Sequence, residues 1–159
     1  MILPITITVI IIATLGVPLF NTFYQPPSTC TLTNKTANTQ TEALKALADW
    51  SKWLISIETA LSALLIAILE GKITLTQNND EFLCGALFAF VLSILAATML
   101  LGAIPPSLES VPIFRQNTKY PDFYAYKCLG VISLRSLAGI EHIQFLLGIG
   151  FLLLGFLKN

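Results

Sequence analysis

The chain has few charged residues and lacks the motifs that many enzymes carry. Charged residues make up only 11% of its 159 residues, whereas about a quarter is usual in a soluble domain. The sequence contains no G-x-x-x-x-G-K-[ST] phosphate loop, no H-E-x-x-H zinc motif, no G-x-S-x-G nucleophile elbow and no Gly-rich dinucleotide fingerprint. These absences exclude the corresponding enzyme classes, and we expect a protein without catalytic activity.

Cysteine and histidine are also scarce, which limits metal and redox chemistry. The three cysteines show no C-x-x-C or C-x-x-H spacing, so neither a zinc site nor a thiol-redox motif is supported. The single histidine, His142, rules out a bis-histidine haem or a zinc site with several histidines. We therefore expect no metal site and no cofactor, and we interpret His142 as a packed or interfacial side chain, with a proton switch as the alternative.

Long apolar runs dominate the chain instead, and hydrophobic residues reach 55%. The runs cover residues 2–20, 53–69, 82–104 and 137–157, and each approaches the ~20 helical residues that cross ~30 Å of hydrocarbon. The first run has no basic n-region and no small-residue cleavage site, so we keep it in the mature protein. The pattern predicts an all-α integral membrane protein, a four-transmembrane-helix bundle that forms one domain over residues 1–159. Pro105 and Pro106 are predicted to end the third span. We interpret this span as a scaffold or lipid-facing helix.

The distribution of basic residues predicts the orientation. Most Lys and Arg residues fall between the first two spans or between the last two, namely Lys35, Lys45, Lys52, Arg115, Lys119, Lys127 and Arg135. Only Lys72 and Lys158 lie on the opposite side. Because cytoplasmic loops carry the excess of basic residues, loops 21–52 and 105–136 should be cytoplasmic and both termini outside. The reverse orientation would make a Cys30–Cys128 disulfide and glycosylation at Asn34 plausible.

The second span is predicted to belong to a longer helix. Thr39 and Glu42 fit a capping box, and helical periodicity continues from there without a breaker into the span. A helix over residues 39–69 would be ~45 Å long and would extend into the cytoplasm. Trp50 and Trp53 lie where it would enter the lipid, a position typical of interfacial anchors.

Polar residues inside two spans are the pore-lining candidates. A carboxylate such as Glu58 costs about 2.5–3.5 kcal/mol in a span, so it should face the bundle interior or a wet cavity. The candidates share helical faces of the second and fourth spans: Glu58, Ser62, Ser51, Glu141 and Gln144. We predict that Glu58 and Ser62 of several subunits face a shared central path. The alternative is that Glu58 bonds to a neighbouring helix and only holds the bundle together.

The loop IFRQNTKYPDFYAYKC interleaves basic and aromatic residues, which makes it a candidate recognition surface. Cations bind phosphates and flat rings stack on bases, a combination suited to a nucleotide or a single-stranded oligonucleotide. The ligand-binding candidates are Arg115, Lys119, Tyr120, Phe123, Tyr124, Tyr126, Lys127 and Arg135. Headgroup anchoring and docking of a cytoplasmic protein remain alternatives.

In its size, its four spans and this cytoplasmic face, the chain resembles the small multi-pass membrane effectors of bacterial antiphage defence systems. The resemblance implies a homo-oligomer that conducts ions across the bacterial inner membrane when a nucleotide, oligonucleotide or protein signal reaches its cytoplasmic face. Because four spans cannot easily enclose an aqueous path alone, we expect a cyclic assembly, a homotetramer. The alternative is a non-conducting membrane anchor or scaffold that recruits a soluble partner.

Overall fold

The structure, a computed structural model, describes residues 2–23, 37–71, 80–114, 127–128 and 132–157. These residues form four helices and one short pair of antiparallel strands. The elements are α1 (Ile2–Phe23), α2 (Ala37–Leu69), α3 (Asp80–Phe114), β1 (Lys127–Cys128), β2 (Ile132–Ser133) and α4 (Leu134–Leu157). The prediction of a helical protein is confirmed. The short strand pair was not predicted.

Three of the helices are long and apolar enough to cross a membrane, which indicates an integral membrane protein. By length and composition, the candidate spans are Thr41–Leu69, Asp80–Pro106 and Leu134–Leu157. They match three of the four expected spans. The described apolar part of α1, Ile5–Leu19, is shorter.

α3 is the central helix, because it packs against each of the other three. Two apolar clusters lie toward its two ends. The cluster near its start contains Leu65, Ile68, Leu83, Ala86 and Phe90, and the cluster near its end contains Leu100, Ala103, Leu134 and Leu137. α1 joins the bundle where Val17 packs against Ala96 of α3 and Ile140 of α4. The interior between the two clusters is left for polar side chains.

Glycine permits the close approach of α4 to α3. A Cβ atom added at Gly148 would lie 2.5 Å from Cε1 of Phe90, and one added at Gly155 would lie 2.7 Å from a methyl carbon of Leu83. Small residues of this kind let helix backbones approach closely inside a membrane. The Gly148–Phe90 contact therefore sets the spacing between the two helices.

We expect Gly148→Ala to lower the free energy of unfolding by about 1–3 kcal/mol, because the added methyl group overpacks the site. The Phe90 ring is fully buried and cannot easily move aside. Gly150→Ala is the matched control on the same helix, since a Cβ atom there meets nothing within 4 Å. Unfolding in mixed micelles of increasing SDS content, followed by circular dichroism, measures both variants. Equal destabilisation by the two would contradict this packing.

The prediction that Pro105 and Pro106 end the third helix is wrong, because α3 continues to Phe114. Two prolines remove the helical hydrogen bonds to the carbonyls of Leu101 and Gly102, and the Pro106 ring also crowds the carbonyl four residues earlier. That carbonyl belongs to Gly102, which is exposed and has open space around it. The apolar cluster around Leu100 meanwhile fixes this part of the helix against α4. Tertiary packing therefore overrides the local signal.

Two further boundaries differ from the prediction. α1 ends at Phe23 and not at residue 20, and Pro18 lies inside the helix. α4 begins at Leu134, three residues early, because the Ser133 hydroxyl accepts a hydrogen bond from the backbone N–H of Ser136 at 3.1 Å and caps the helix. The preceding strands pair only two residues each. Strands so short leave no alternating pattern in a sequence.

Candidate functional site

The five pore-lining candidates lie inside the bundle of a single chain. Ser51, Glu58, Glu141 and Gln144 have 0% exposure, and the hydroxyl oxygen of Ser62 is buried as well. Their positions on α2 and α4 repeat at helical spacing, which directs each set toward the interior. Together with Ser93 of α3, which is also fully buried, we call these six residues the interior polar cluster.

Glu141 connects three helices within this cluster. The Ser51 hydroxyl of α2 donates to the Glu141 carboxyl at 3.0 Å, and the Ser93 hydroxyl of α3 donates to the Glu141 backbone carbonyl at 2.8 Å. A buried polar group normally needs such partners. Glu141 therefore has a structural role, although its second carboxyl oxygen has no hydrogen-bond partner.

Glu58 is different, because neither of its carboxyl oxygens has a hydrogen-bond partner. The Ser93 side chain lies beside it, and Glu141 is close enough to act on it electrostatically. The single hydroxyl hydrogen of Ser93 is donated to the Glu141 carbonyl, so it is not given to Glu58. The ion pair between Lys52 and Asp49 involves neither Glu58 nor Glu141. Two acidic side chains are thus buried near each other, and among the described residues neither forms an ion pair with Lys or Arg.

Five buried oxygen atoms of the cluster have no hydrogen-bond partner in the protein. They are both carboxyl oxygens of Glu58, Oγ of Ser62, Oε1 of Glu141 and Oε1 of Gln144. Each such group costs about 1–3 kcal/mol when left unsatisfied. Carboxylate and amide oxygens accept hydrogen bonds and bind hard cations. The cluster can therefore take up protons, water or a small cation, whereas it repels anions.

The amide of Gln144 attaches α1 to the bundle. Its nitrogen donates to the Thr14 hydroxyl at 2.6 Å and to the backbone carbonyl of Ile10 at 3.2 Å. Thr14 in turn donates to the Ile10 carbonyl at 2.7 Å. Because the nitrogen faces α1, the amide oxygen is the atom left without a partner.

Beside the cluster, Trp50 of α2 contacts His142 of α4. The indole N–H donates to Nε2 of His142 at 2.9 Å, and the two rings are nearly parallel, with 9° between their planes. Trp50 and Trp53 remain 46% and 57% exposed, so both rings stay accessible for the predicted interfacial anchoring. No local feature of the sequence predicts that Trp50 also binds the histidine.

The ligand-binding candidates are almost all outside the described residues. This applies to Arg115, Lys119, Tyr120, Phe123, Tyr124 and Tyr126. Lys127 is described only as backbone of β1, and Arg135 is half-buried in the first turn of α4. Nucleotide recognition by this loop stays a prediction. The Cys30–Cys128 disulfide of the reverse orientation is not tested either, because Cys30 is also outside the described residues.

Sequence reasoning missed Ser93 and Thr14 as members of the site. Ser93 is the one polar residue in the stretch FLCGALFAFVLSILAA, and a lone hydroxyl in a membrane helix can signal a bond to a neighbouring helix. In the part of the chain that the structure covers, no group of three or more His, Cys, Asp or Glu residues could hold a metal ion.

Comparisons of the chain with protein-family models, with curated proteins and with solved structures found no match. The chemistry of the interior polar cluster is therefore inferred from its own atoms and their surroundings.

Proposed function

We propose that the protein conducts protons or small cations across a membrane through the polar interior of its helix bundle. The observation that carries this proposal is the set of five buried oxygen atoms without hydrogen-bond partners on α2 and α4. Ionisable residues inside membrane segments are costly and commonly mark ion paths or proton relays. Apolar side chains would hold the same helices together at less cost.

The path is proposed to run inside each bundle and not on an axis shared between subunits. A residue lining a path between subunits would be exposed on a single chain, whereas Glu58 is completely buried. Along α2 the polar face extends from Ser51 to Ser62, which is ~16 Å of helix and about half of the hydrocarbon thickness. Beyond Ser62 the interior becomes apolar.

That apolar region is proposed to be the closed gate of the path. It is the cluster of Leu65, Ile68, Leu83, Ala86 and Phe90, in which all five side chains are buried. A dry apolar constriction stops ions until it is widened and wetted. Conduction therefore requires a movement of α2 relative to α3.

The complete membrane arrangement adds α1 as a fourth span. Its 22 residues give ~33 Å of helix, enough to cross ~30 Å of hydrocarbon. Large apolar side chains on its outer surface, such as Ile12 and Leu15, are at least 60% exposed and suit a lipid environment. In the proposed arrangement loops 21–52 and 105–136 lie in the cytoplasm, because they carry most of the basic residues. The start of α2 would project there, and both termini would lie outside the bacterial inner membrane.

Association of several copies, as a homotetramer, is part of the proposal. The outer face of α2 carries small exposed residues at helical spacing, namely Ser56, Thr59, Ala60 and Ala63. The hydroxyls of Ser56 and Thr59 already donate to backbone carbonyls of their own helix, so this face allows close packing against another helix. The mass of the purified protein in mild detergent measures the oligomeric state.

The trigger is proposed to act on the cytoplasmic face, as the resemblance to antiphage membrane effectors implies. The basic and aromatic loop between α3 and α4 suits a nucleotide or an oligonucleotide, and a protein signal is the alternative. Loss of binding in a variant with Lys119→Glu and Tyr124→Ala tests the loop, since neither residue is expected inside the membrane.

A non-conducting anchor or scaffold is the second candidate function. The two hydrogen bonds that Glu141 receives from α2 and α3 favour it, because they fix helices together and need no ion path. The anchor offers no reason for the unpartnered carboxyl of Glu58, which is why we place conduction first.

Reconstitution into liposomes tests the proposal. With a pH-sensitive or a sodium-sensitive dye inside, vesicles that contain the protein should dissipate an imposed proton or sodium gradient faster than protein-free vesicles. A chloride gradient should be unaffected. Vesicles that remain as tight as the protein-free control would favour the anchor.

A further inference from the structure

Both ring nitrogens of His142 are used in hydrogen bonds that require a neutral ring. Nε2 accepts the indole N–H of Trp50 at 2.9 Å, because an indole nitrogen can only donate. Nδ1 lies 2.6 Å from the backbone carbonyl of Ala138, which can only accept. The ring therefore carries its hydrogen on Nδ1, and Nε2 presents its lone pair to Trp50.

Protonation of this ring is incompatible with the contact. A second hydrogen would be placed on Nε2, where it would point at the indole N–H of Trp50, so that one donor would face another. Nδ1 can keep its bond to Ala138, whereas the hydrogen bond between Trp50 and His142 is lost. Histidine is the side chain that commonly changes its charge between about pH 5 and pH 8.

The contact lies directly beside the interior polar cluster. Trp50 and Ser51 are neighbours on α2, and they bind His142 and Glu141, which are neighbours on α4. Two adjacent hydrogen bonds thus join the helices at the beginning of the polar face. Losing the first leaves the adjacent bond between Ser51 and Glu141.

No other charged side chain of the described residues forms part of the Trp50–His142 hydrogen bond. On α2, Asp49 and Lys52 are the charged residues closest to Trp50 in the sequence, and they form an exposed ion pair with each other at 3.4 Å. On α4 itself, Glu141 is buried and Arg135 lies two turns earlier. Within Ile5–Leu19 of α1 there is no charged residue, and the charged residues at the start of α3, Asp80 and Glu81, lie at its far end.

We propose that the Trp50–His142 hydrogen bond is a pH-sensitive contact that keeps the ion path closed while His142 is neutral. Protonation of His142 in acid breaks the contact, lets α2 move away from α4, and admits water to Ser51 and Glu141. This regulation rests on the proposed conduction, whereas the breaking of the hydrogen bond does not depend on it.

Nitrogen NMR tests the hydrogen bond directly, because the chain has one histidine and two tryptophans. In a Trp53→Phe background, ¹⁵N-labelled histidine and tryptophan give one imidazole and one indole. At alkaline pH the imidazole should be the Nδ1–H tautomer. As acid protonates Nε2, the Trp50 indole N–H signal should shift over the same pH range, and in His142→Gln it should not. An Nε2–H tautomer at alkaline pH, or an indole signal that ignores the histidine titration, would overturn the proposal.

Flux in liposomes tests the regulatory part. Wild-type flux should rise on acidification of the side that Trp50 faces, and the rise should be lost in Trp50→Phe and kept in Trp53→Phe. If the NMR signals titrate together while an active protein conducts equally at all pH values, the contact does not regulate the path. If no variant conducts at any pH, conduction itself has failed, and NMR still decides whether the hydrogen bond responds to pH.

Discussion

Replacing Glu58 with Gln is expected to lower the flux of protons or cations by about tenfold or more, an increase of at least ~1.4 kcal/mol in the barrier. Gln has nearly the same size and can form the same number of contacts, so the bundle should fold. It carries no negative charge and cannot hold a transferable proton, which are the two properties that the path needs from this position. Dye-monitored flux in liposomes with equal amounts of protein measures the difference.

The matched control is Glu42→Gln. Glu42 lies on the same helix, but its side chain is exposed, whereas that of Glu58 is completely buried. Its replacement removes the same charge and should leave the flux unchanged. Equal losses in both variants would mean that the flux responds to the overall charge of the helix and not to the interior position.

Replacing Glu58 with Leu is expected to raise the free energy of unfolding by about 1–3 kcal/mol while it abolishes conduction. Both oxygens of the Glu58 carboxyl are buried without hydrogen-bond partners, so an apolar side chain of similar size removes an unsatisfied group and breaks no bond. Unfolding in mixed micelles of increasing SDS content measures the change in stability.

Glu141→Leu is the informative contrast, because the two carboxyls lie in similar surroundings. Its carboxyl accepts the Ser51 hydroxyl at 3.0 Å, and removing it leaves that hydroxyl without its partner, which should lower the free energy of unfolding by about 1 kcal/mol. A loss of stability in Glu58→Leu as large as in Glu141→Leu would show that Glu58 serves the packing of the bundle. That result would support the anchor.

Helix existence could be predicted from the sequence, because apolar runs and capping patterns are local properties of the chain. The start of α2 was expected at Thr39 and is found at Ala37. The end of α3 could not be predicted, since packing of Leu100 and Ala103 against α4 holds the helix together across two prolines. Local rules describe what a proline costs and not which distant residues offset that cost.

The same contrast between local features and contacts of distant residues holds for the interior polar cluster. The apolar surroundings of Glu58 and Glu141 mark them as interior residues by sequence alone. Their partners could not be predicted, because Ser51 and Glu141 are 90 residues apart and only the packing of both α2 and α4 against α3 brings them together. Trp50 and His142 are 92 residues apart, and their pairing could not be predicted either. An interfacial tryptophan has no local feature that indicates a second role.

Current across a planar bilayer that contains the purified protein tests the central claim most directly. Gradients of sodium chloride and of protons are imposed in turn, and the reversal potential shows which ion carries the current. Passage through a cluster of carboxyl and amide oxygens predicts a reversal potential that follows the proton or the sodium gradient and never the chloride gradient. A bilayer that stays silent under every trigger and pH, or a current that follows chloride, would contradict an ion path through Glu58 and Glu141.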